Sequence, residues 1–309
     1  MVNSLFIFIA ALFLVIKGAT VAAKYAARLA ESFPLSKYTI GFIVIAIISI
    51  LPETFIAINS SLAGMPSFGL GTLFGSNVAD MTLVFTIIIL FAGRGIKIRS
   101  SILGKNKAYP FLLLLPLVLG MDGYFSRPEG IALIIFGGAF YYTAFRNGMD
   151  RSVSLSNKNN RYKNFFMLFL GMAILLVGAH FTVNSAVVFA NMLKINPILI
   201  GMLVVGLGTT MPELFFALKS VRERDDDLAV GDILGTVLAD STVVVGILAV
   251  INPFSFPQRI IYITGLFMVL ASVILFICMR SGRVLSKRES YALLIFWLTF
   301  VLVEFLANR

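Results

Sequence analysis

Long apolar stretches alternate with short polar connectors along the whole chain. Ten such stretches can be distinguished, at about residues 3–30, 38–63, 68–92, 108–121, 128–145, 163–193, 197–220, 227–250, 258–279 and 289–306. A helix needs about 20 apolar residues to cross the roughly 30 Å hydrocarbon core of a bilayer. The pattern therefore predicts an all-α membrane protein with ten transmembrane helices, five in each half of the chain.

The two halves carry the same key residues at a constant spacing of 160 positions. Pro52-Glu53 recurs as Pro212-Glu213, and Asp80 recurs as Asp240. Glycines keep the same register, in the pairs Gly18 and Gly178, Gly41 and Gly201, Gly71 and Gly231, and Gly75 and Gly235. The chain is therefore an internal duplication. Because each half has an odd number of spans, the second half enters the membrane from the opposite side, which makes the duplication an inverted repeat.

The domain organisation follows from this duplication. We predict a first five-helix repeat over residues 1–145, a cytoplasmic linker over 146–162 and a second, inverted five-helix repeat over 163–309. The linker is the one long polar connector and is rich in Ser, Asn and basic residues. The first apolar stretch runs past Lys17 without a short apolar core and a small-residue cleavage site, so we expect no cleavable signal.

The composition excludes a soluble protein. Hydrophobic residues make up 59% of the chain, charged residues make up 13%, and the mean hydropathy is +0.96, whereas the apolar share of soluble domains is about 45 to 50%. Cys278 and His180 are each the only residue of their kind. A disulfide within the chain is therefore impossible, and a metal would find almost no nitrogen or sulfur ligands.

The net charge of +10 reports topology rather than nucleic-acid binding. Of the 25 Lys and Arg residues, 20 fall in alternate connectors. The excess of Lys and Arg marks cytoplasmic loops in membrane proteins. We therefore expect a multi-pass protein of the cell membrane, embedded in the lipid bilayer, with cytoplasmic basic loops and both termini extracellular.

Two helices in each half carry oxygen-bearing side chains at helical spacing. Thr72, Ser76 and Asp80 lie at i, i+4 and i+8, which places them on one helix face. Asp232, Thr236 and Asp240 repeat the pattern in the second half. The neighbouring glycines form a small-xxx-small strip that allows another helix to approach closely.

The two prolines add backbone oxygens to this set. Pro52 and Pro212 have no N–H to donate to the carbonyls of Ile48 and Gly208, so carbonyl oxygens near 48–49 and 208–209 are released. A carboxylate at the centre of a membrane helix costs roughly 2.5 to 3.5 kcal/mol, so symmetric pairs of them indicate function. An oxygen-only set of this kind suits a hard cation such as Ca²⁺, and Na⁺ would accept the same oxygens.

These segments resemble the two alpha-repeats of the cation/calcium exchanger superfamily. The family motifs are G-T-S-L-P-E in one helix and G-N-x-x-G-S-N-x-x-N/D in the next. They correspond here to residues 48–53 and 71–80, and to 208–213 and 231–240. The resemblance covers the whole chain and is more faithful in the second repeat.

The resemblance implies four ion sites between the repeats. Glu53 and Glu213 would bind Ca²⁺ together with the backbone carbonyls of Ser49 and Thr209. One sodium site would use Glu53, Ser76 and Thr210. A second would use Glu213, Thr236 and Ser49, with Asp80 and Asp240 flanking the centre.

Several positions depart from the family pattern. Ile50 replaces a serine, Ile48 replaces a glycine, and Val205 stands where the family has a small residue. Asp80 and Asp232 each occupy a position where sodium/calcium exchangers usually have asparagine. These departures leave the counter-ion and its stoichiometry open.

The expected function is therefore secondary active antiport of Ca²⁺ against Na⁺ by alternating access. Proton-coupled and K⁺-dependent antiport are the alternatives, and a passive cation channel is less favoured because inverted repeats suit alternating access. We expect no enzymatic activity, no cofactor and no nucleic-acid partner, and a monomer should be sufficient for transport.

Overall fold

The computed structural model describes residues 2–30, 39–97, 109–147, 161–280 and 284–307. Helices make up nearly all of the described residues, and each of the ten predicted apolar stretches is helical there. The uninterrupted helices are α1 (Val2–Ala30), α4 (Tyr109–Leu119), α5 (Arg127–Asn147), α6 (Arg161–Leu193) and α10 (Lys287–Ala307).

The other five helices are built from consecutive segments. Helix α2 comprises Ile40–Ile45, Ala46–Ser49 and Leu51–Leu62, and α3 comprises Pro66–Ala79, Asp80–Val84 and Phe85–Ala92. Helix α7 comprises Pro197–Ile200, Gly201–Val205, Gly206–Thr209 and Met211–Arg222. Helix α8 comprises Asp226–Ala239, Asp240–Val244 and Val245–Ile251, and α9 comprises Ile260–Gly265 and Leu266–Arg280.

The fold class predicted from the sequence is confirmed as a helical membrane protein. Within the described residues, seven helices are long and apolar enough to cross a membrane. The apolar helices Ala46–Leu62 and Tyr109–Leu119 are shorter, and α5 has 21 residues. Most of the predicted linker lies outside the described residues, and the proposed repeat boundaries stay a prediction.

Two pairs of short strands show how the connectors are arranged. Strand β1 (Ile96–Lys97) pairs with β4 (Val284–Leu285), and β2 (Tyr124–Phe125) pairs with β3 (Phe254–Ser255), both antiparallel. The first pair joins the α3–α4 connector to the α9–α10 connector. The second joins the α4–α5 connector to the α8–α9 connector. Two connectors can pair only if they lie on the same side of the membrane, so an even number of membrane crossings must separate them. The helix count meets this requirement if each helix crosses the membrane once.

The innermost helices of each half pack against the other half. Helix α3 contacts α7, and α8 contacts α2. A Cβ added at Gly75 would collide with the backbone of Met202, and one added at Gly235 would collide with the backbone of Phe42. Since Phe42 and Met202 are also 160 residues apart, the two contacts are equivalent. The predicted close approach through glycines is therefore present at Gly75 and Gly235.

Side-chain burial decreases from the central helices to the outer helices, as expected for a protein in a bilayer. Helices α3 and α8 are almost completely buried in the centre. Large apolar side chains such as Phe6, Phe166 and Ile295 are exposed on α1, α6 and α10, where lipid would cover them. Helices α1 and α6 pack along each other, with Gly18 and Gly178 in close contact with the opposite backbone.

Candidate cation site

Five carboxylates lie buried at the centre of the helix bundle. Glu53 is 1% exposed, and Asp80, Glu213, Asp232 and Asp240 are fully buried. They come from four helices, α2, α3, α7 and α8. Glu53 is close enough to Asp80, Glu213, Asp232 and Asp240 to interact with each of them electrostatically. The sequence predicted all five residues, and the fold brings them into one region.

These carboxylates have almost no partners within the protein. Both side-chain oxygens of Glu53, Asp80, Glu213 and Asp240 are buried without a hydrogen-bond partner, as is Oδ2 of Asp232. In the described part of the chain, none of the five forms a salt bridge. Five buried negative charges without basic neighbours would repel one another strongly. The region therefore calls for positive charge from outside the protein.

Hydroxyl groups surround the carboxylates. The Ser49 hydroxyl donates a hydrogen bond to Oδ1 of Asp232 at 3.0 Å, which joins α2 to α8. The hydroxyls of Thr209 and Thr210 both donate to the Gly206 carbonyl at 2.9 Å. Each of these hydroxyl oxygens can still coordinate a cation through a lone pair, because a hydroxyl has two lone pairs and one proton.

Two further predicted hydroxyls differ from each other. The Ser76 hydroxyl donates to the Leu73 carbonyl at 2.9 Å, whereas the Thr236 hydroxyl is buried without a hydrogen-bond partner. All ten side chains predicted for the site are buried. Their individual roles towards an ion stay a prediction.

The helix breaks occur beside the predicted backbone oxygens. Helix α2 is interrupted at Ile50 and α7 at Thr210, and Pro52 and Pro212 lie in the first turn of the segment that follows. A proline is tolerated there because the first N–H groups of a helix have no partner inside the helix. The carbonyls of Ile48 and Gly208 thus lose their usual donors next to the two glutamates, as expected.

Two polar clusters were not predicted from the sequence. The Asn77 amide donates to the Ser241 hydroxyl at 3.0 Å, and the Asn77 carbonyl oxygen is buried without a partner. Asn77 lies next to Ser76 in the motif of α3, and this position could have indicated from the sequence that it belongs to the site. Thr264 of α9 donates to Glu304 of α10 at 2.5 Å. Glu304 is a buried acid whose counterpart 160 residues earlier is Ala144, so the repeat pattern gave no signal for it.

The described residues contain no group of three or more His, Cys, Asp or Glu side chains in a ready-made metal geometry. Carboxylates, hydroxyls and backbone oxygens are instead interspersed along the four helices. Hard cations accept such mixed oxygen ligands in a tolerant geometry, and Ca²⁺ takes six to eight of them. The arrangement therefore suits a hard cation.

Solved structures with a similar fold include those of the sodium-calcium exchanger NCX_Mj. One of them superposes with a TM-score of 0.72 and covers 97% of each chain at 22% sequence identity. Another has a TM-score of 0.74, also at 22% identity. The overall fold is therefore shared with NCX_Mj.

Similar sequences are found in bacteria and archaea. Inner membrane protein YrbG of Escherichia coli is 29% identical over 260 residues, which is 79% of each chain. Sodium/calcium exchanger MaX1 of Methanosarcina acetivorans is 24% identical over 351 aligned positions, covering 98% of this chain and 99% of the relative. A sequence profile described as "Sodium/calcium exchanger protein" matches residues 3–146 and 163–306. The resemblance seen in the motifs is thus confirmed, and the chain belongs to the sodium/calcium exchanger protein family.

Proposed function

We propose that this protein is a secondary active antiporter that exchanges Ca²⁺ for Na⁺ across the cell membrane by alternating access. One observation carries the proposal: the buried, unpaired carboxylates of Glu53 and Glu213 occupy equivalent places in two inverted repeats and lie close together. A pair of symmetric half-sites that meet inside the bundle is suited to binding the same ion from either side.

Calcium is the proposed substrate because of the ligands and their charge. Glu53 and Glu213, together with the carbonyls of Ser49 and Thr209, would supply two negative charges and several oxygens to one divalent ion. Na⁺ would use the hydroxyls of Ser49, Ser76, Thr210 and Thr236 with the same two glutamates. The names of MaX1 and NCX_Mj describe exchange of these two ions in related proteins.

Exchange, rather than passive flow, follows from the charge of the empty site. Without cations, the clustered carboxylates repel one another in a medium of low dielectric constant, so the empty protein should not reorient. Binding of Ca²⁺, or of several Na⁺ ions, would relieve this repulsion. The long helices α1 and α6 could then slide past the core and expose the site to the other side.

The remaining expectations extend the proposal. A single chain contains both half-sites, which supports transport by a monomer. We propose that no cofactor takes part, because the chain itself supplies the oxygen ligands. We propose cytoplasmic basic loops and extracellular termini. Asp80 and Asp232 keep proton-coupled and K⁺-dependent exchange as the alternatives, since each adds a carboxylate where related exchangers usually have an amide.

The test is Ca²⁺ uptake into vesicles reconstituted with the purified protein, under separately imposed gradients of Na⁺, K⁺ and H⁺. An outward Na⁺ gradient is expected to drive Ca²⁺ accumulation, and dissipating that gradient should stop it. Uptake that follows a pH gradient without Na⁺ would establish the proton-coupled alternative. Ca²⁺ flux that ignores every opposing gradient would indicate a channel and overturn the proposal.

A further inference from the structure

The two repeats form two equivalent half-sites that differ in charge. The α2–α8 half-site consists of Ser49, Glu53, Asp232 and Thr236. The α3–α7 half-site consists of Thr209, Glu213, Thr72 and Ser76, at the positions related to these by 160 residues. In each, the two helices run in the same direction, and the two residues that each helix contributes share one helix face because they lie at i and i+4.

Contacts in the structure join the two helices of each half-site. In the first, Ser49 donates to Asp232, and Gly235 brings α8 against the backbone of α2. In the second, a Cβ added at Gly206 of α7 would lie 3.1 Å from the Thr72 carbonyl and from the Ser76 nitrogen. The helix backbones therefore approach closely in both half-sites, and the half-sites differ in their side chains.

The hydroxyl protons go to different acceptors in the two half-sites. In the α3–α7 half-site, Thr72, Ser76 and Thr209 each donate to a carbonyl of their own helix. In the α2–α8 half-site, Ser49 instead donates to a carboxylate of the other repeat, and Thr236 has no hydrogen-bond partner. A hydroxyl that donates to a carboxylate is polarised and presents its lone pairs to a cation more strongly.

The charges differ as well. Each half-site has one glutamate by its position in the repeat. The α2–α8 half-site has the carboxylate of Asp232 in addition, where the α3–α7 half-site has the hydroxyl of Thr72. Oδ2 of Asp232 is buried without a partner, and so are both oxygens of Glu53. The affinity of an oxygen site for hard cations rises with the number of charged ligands. The α2–α8 half-site therefore has the charge to hold one additional cation.

The two half-sites lie towards opposite faces of the protein. Asp232 is six residues into α8 from Asp226, which pairs with Arg94, so it lies about 9 Å along the helix from that end. Thr72 is six residues into α3 from Pro66, at the opposite face. The additional carboxylate is thus displaced from the centre towards the face that carries Arg94.

We propose that Asp232 is a specificity-determining residue that makes the two half-sites unequal. It gives the α2–α8 half-site a tighter hold on a hard monovalent cation, Na⁺ or K⁺. The exchanger therefore binds this cation with higher apparent affinity from the face that carries Arg94 than from the other face. This inference rests on the proposed exchange function and adds a direction to it.

The internal repeat supplies the test. Inside-out and right-side-out vesicles would be loaded with Ca²⁺, and the half-saturating concentration of external Na⁺, or of K⁺ in a parallel series, would be measured for Ca²⁺ release. Protease cleavage near Glu223 identifies the face that carries Arg94. In the wild type, the half-saturating concentration should be lower on that face by about tenfold or more.

The variants should change this ratio in a defined order. Asp232→Thr, which installs the residue of the other half-site, should bring the two faces to similar values, and Asp232→Asn should act in the same direction. The double variant Asp232→Thr with Thr72→Asp should invert the ratio. Asp227→Asn, which removes a carboxylate from the same helix at its end, should keep the wild-type ratio. The series that responds, Na⁺ or K⁺, identifies the cation.

Failure of this inference differs from failure of the proposed function. Equal values on both faces of the wild type, or a wild-type ratio in Asp232→Thr, would overturn the role of Asp232 and leave exchange standing. If the wild type does not couple Ca²⁺ to Na⁺, the proposed function falls, and calorimetric titration of the purified protein decides the role of Asp232. Weaker Na⁺ or K⁺ binding by Asp232→Thr than by Asp227→Asn would then support it, and equal binding would overturn it.

Discussion

Glu53 and Glu213 each follow a helix-breaking proline and point buried oxygens into the same region without partners. Glutamine has nearly the same shape as glutamate but lacks the charge. Glu53→Gln and Glu213→Gln should each reduce Ca²⁺ uptake by roughly 10- to 100-fold, since an interaction with a charged ligand is worth about 1.5 to 3 kcal/mol. Uptake into reconstituted vesicles at saturating counter-ion gradients measures this loss.

The same two variants should fold normally. Removing one of several buried like charges relieves repulsion, so the midpoint of thermal unfolding in cation-free detergent solution should stay equal to that of the wild type or rise. Glu223→Gln, at an exposed position in the α7–α8 connector, is the matched control and should retain uptake. Robust uptake by either buried variant would contradict the assignment of the glutamates as ligands.

The contacts between individual side chains could be predicted only in part. The 160-residue spacing identified equivalent residues, such as Glu53 and Glu213, because duplication preserves their register. It could not identify the bond between Ser49 and Asp232, whose partners occupy non-equivalent positions in different repeats. Glu304 was missed for a related reason, since an acid without a counterpart in the first repeat breaks the pattern.

At the scale of helices, the breaks in α2 and α7 were predictable because proline cannot donate to the preceding turn. The wider turns at Asp80–Val84 and Asp240–Val244 were not. No proline or glycine begins them, and each starts at a buried aspartate. Wide turns of this kind often occur at functional sites. Both contain a threonine at the third position, Thr82 or Thr242, whose hydroxyl donates to the carbonyl four residues earlier.

The glycines of α3 and α8 lead to a prediction about packing. Gly75→Ala and Gly235→Ala would each place a methyl group against the backbone of the facing helix. Overpacking of this kind costs about 1 to 3 kcal/mol. Each variant should therefore lower the midpoint of thermal unfolding in detergent, and the two effects should be similar because the contacts are equivalent.

Gly138 of α5 is the matched control for these substitutions. A Cβ at this position meets nothing within 4 Å, so Gly138→Ala should leave stability unchanged or raise it slightly through higher helix propensity. A Gly75→Ala protein as stable as the Gly138→Ala protein would show that the helices can move apart without cost. The close approach of α3 and α7 would then be unnecessary for stability.

At the scale of the whole molecule, the inverted arrangement could be predicted from an odd number of spans per half. The strand pairs that join distant connectors could not, because two-residue strands such as Ile96–Lys97 show no periodicity in the sequence. The structure also reveals a difference between the two faces. Arg94 and Asp226 form an ion pair at one face, whereas their counterparts 160 residues away, Phe254 and Pro66, are uncharged.

The Arg94–Asp226 pair joins the connector that follows α3 to the first residue of α8. Both guanidinium nitrogens lie 2.7 Å from the carboxylate of Asp226, and one of them also donates to the Val221 carbonyl at 3.2 Å. The Lys97 backbone N–H donates to the same carboxylate at 2.9 Å. The hydrogen bonds to Asp226 raise the pKa of Arg94, so the pair stays ionised at physiological pH.

Loss of the Arg94–Asp226 ion pair should remove a stabilising contact from one face of the protein only. Arg94→Gln and Asp226→Asn should each lower stability by roughly 1 to 3 kcal/mol, because each leaves a charged partner without its ligand. The double variant should lose little more than either single one, which a cycle of thermal unfolding midpoints would measure. The exposed pair of Lys219 and Glu223, 3.9 Å apart, should show almost no coupling in the same experiment. Strictly additive losses for Arg94 and Asp226 would show that the two side chains do not stabilise the fold as a pair.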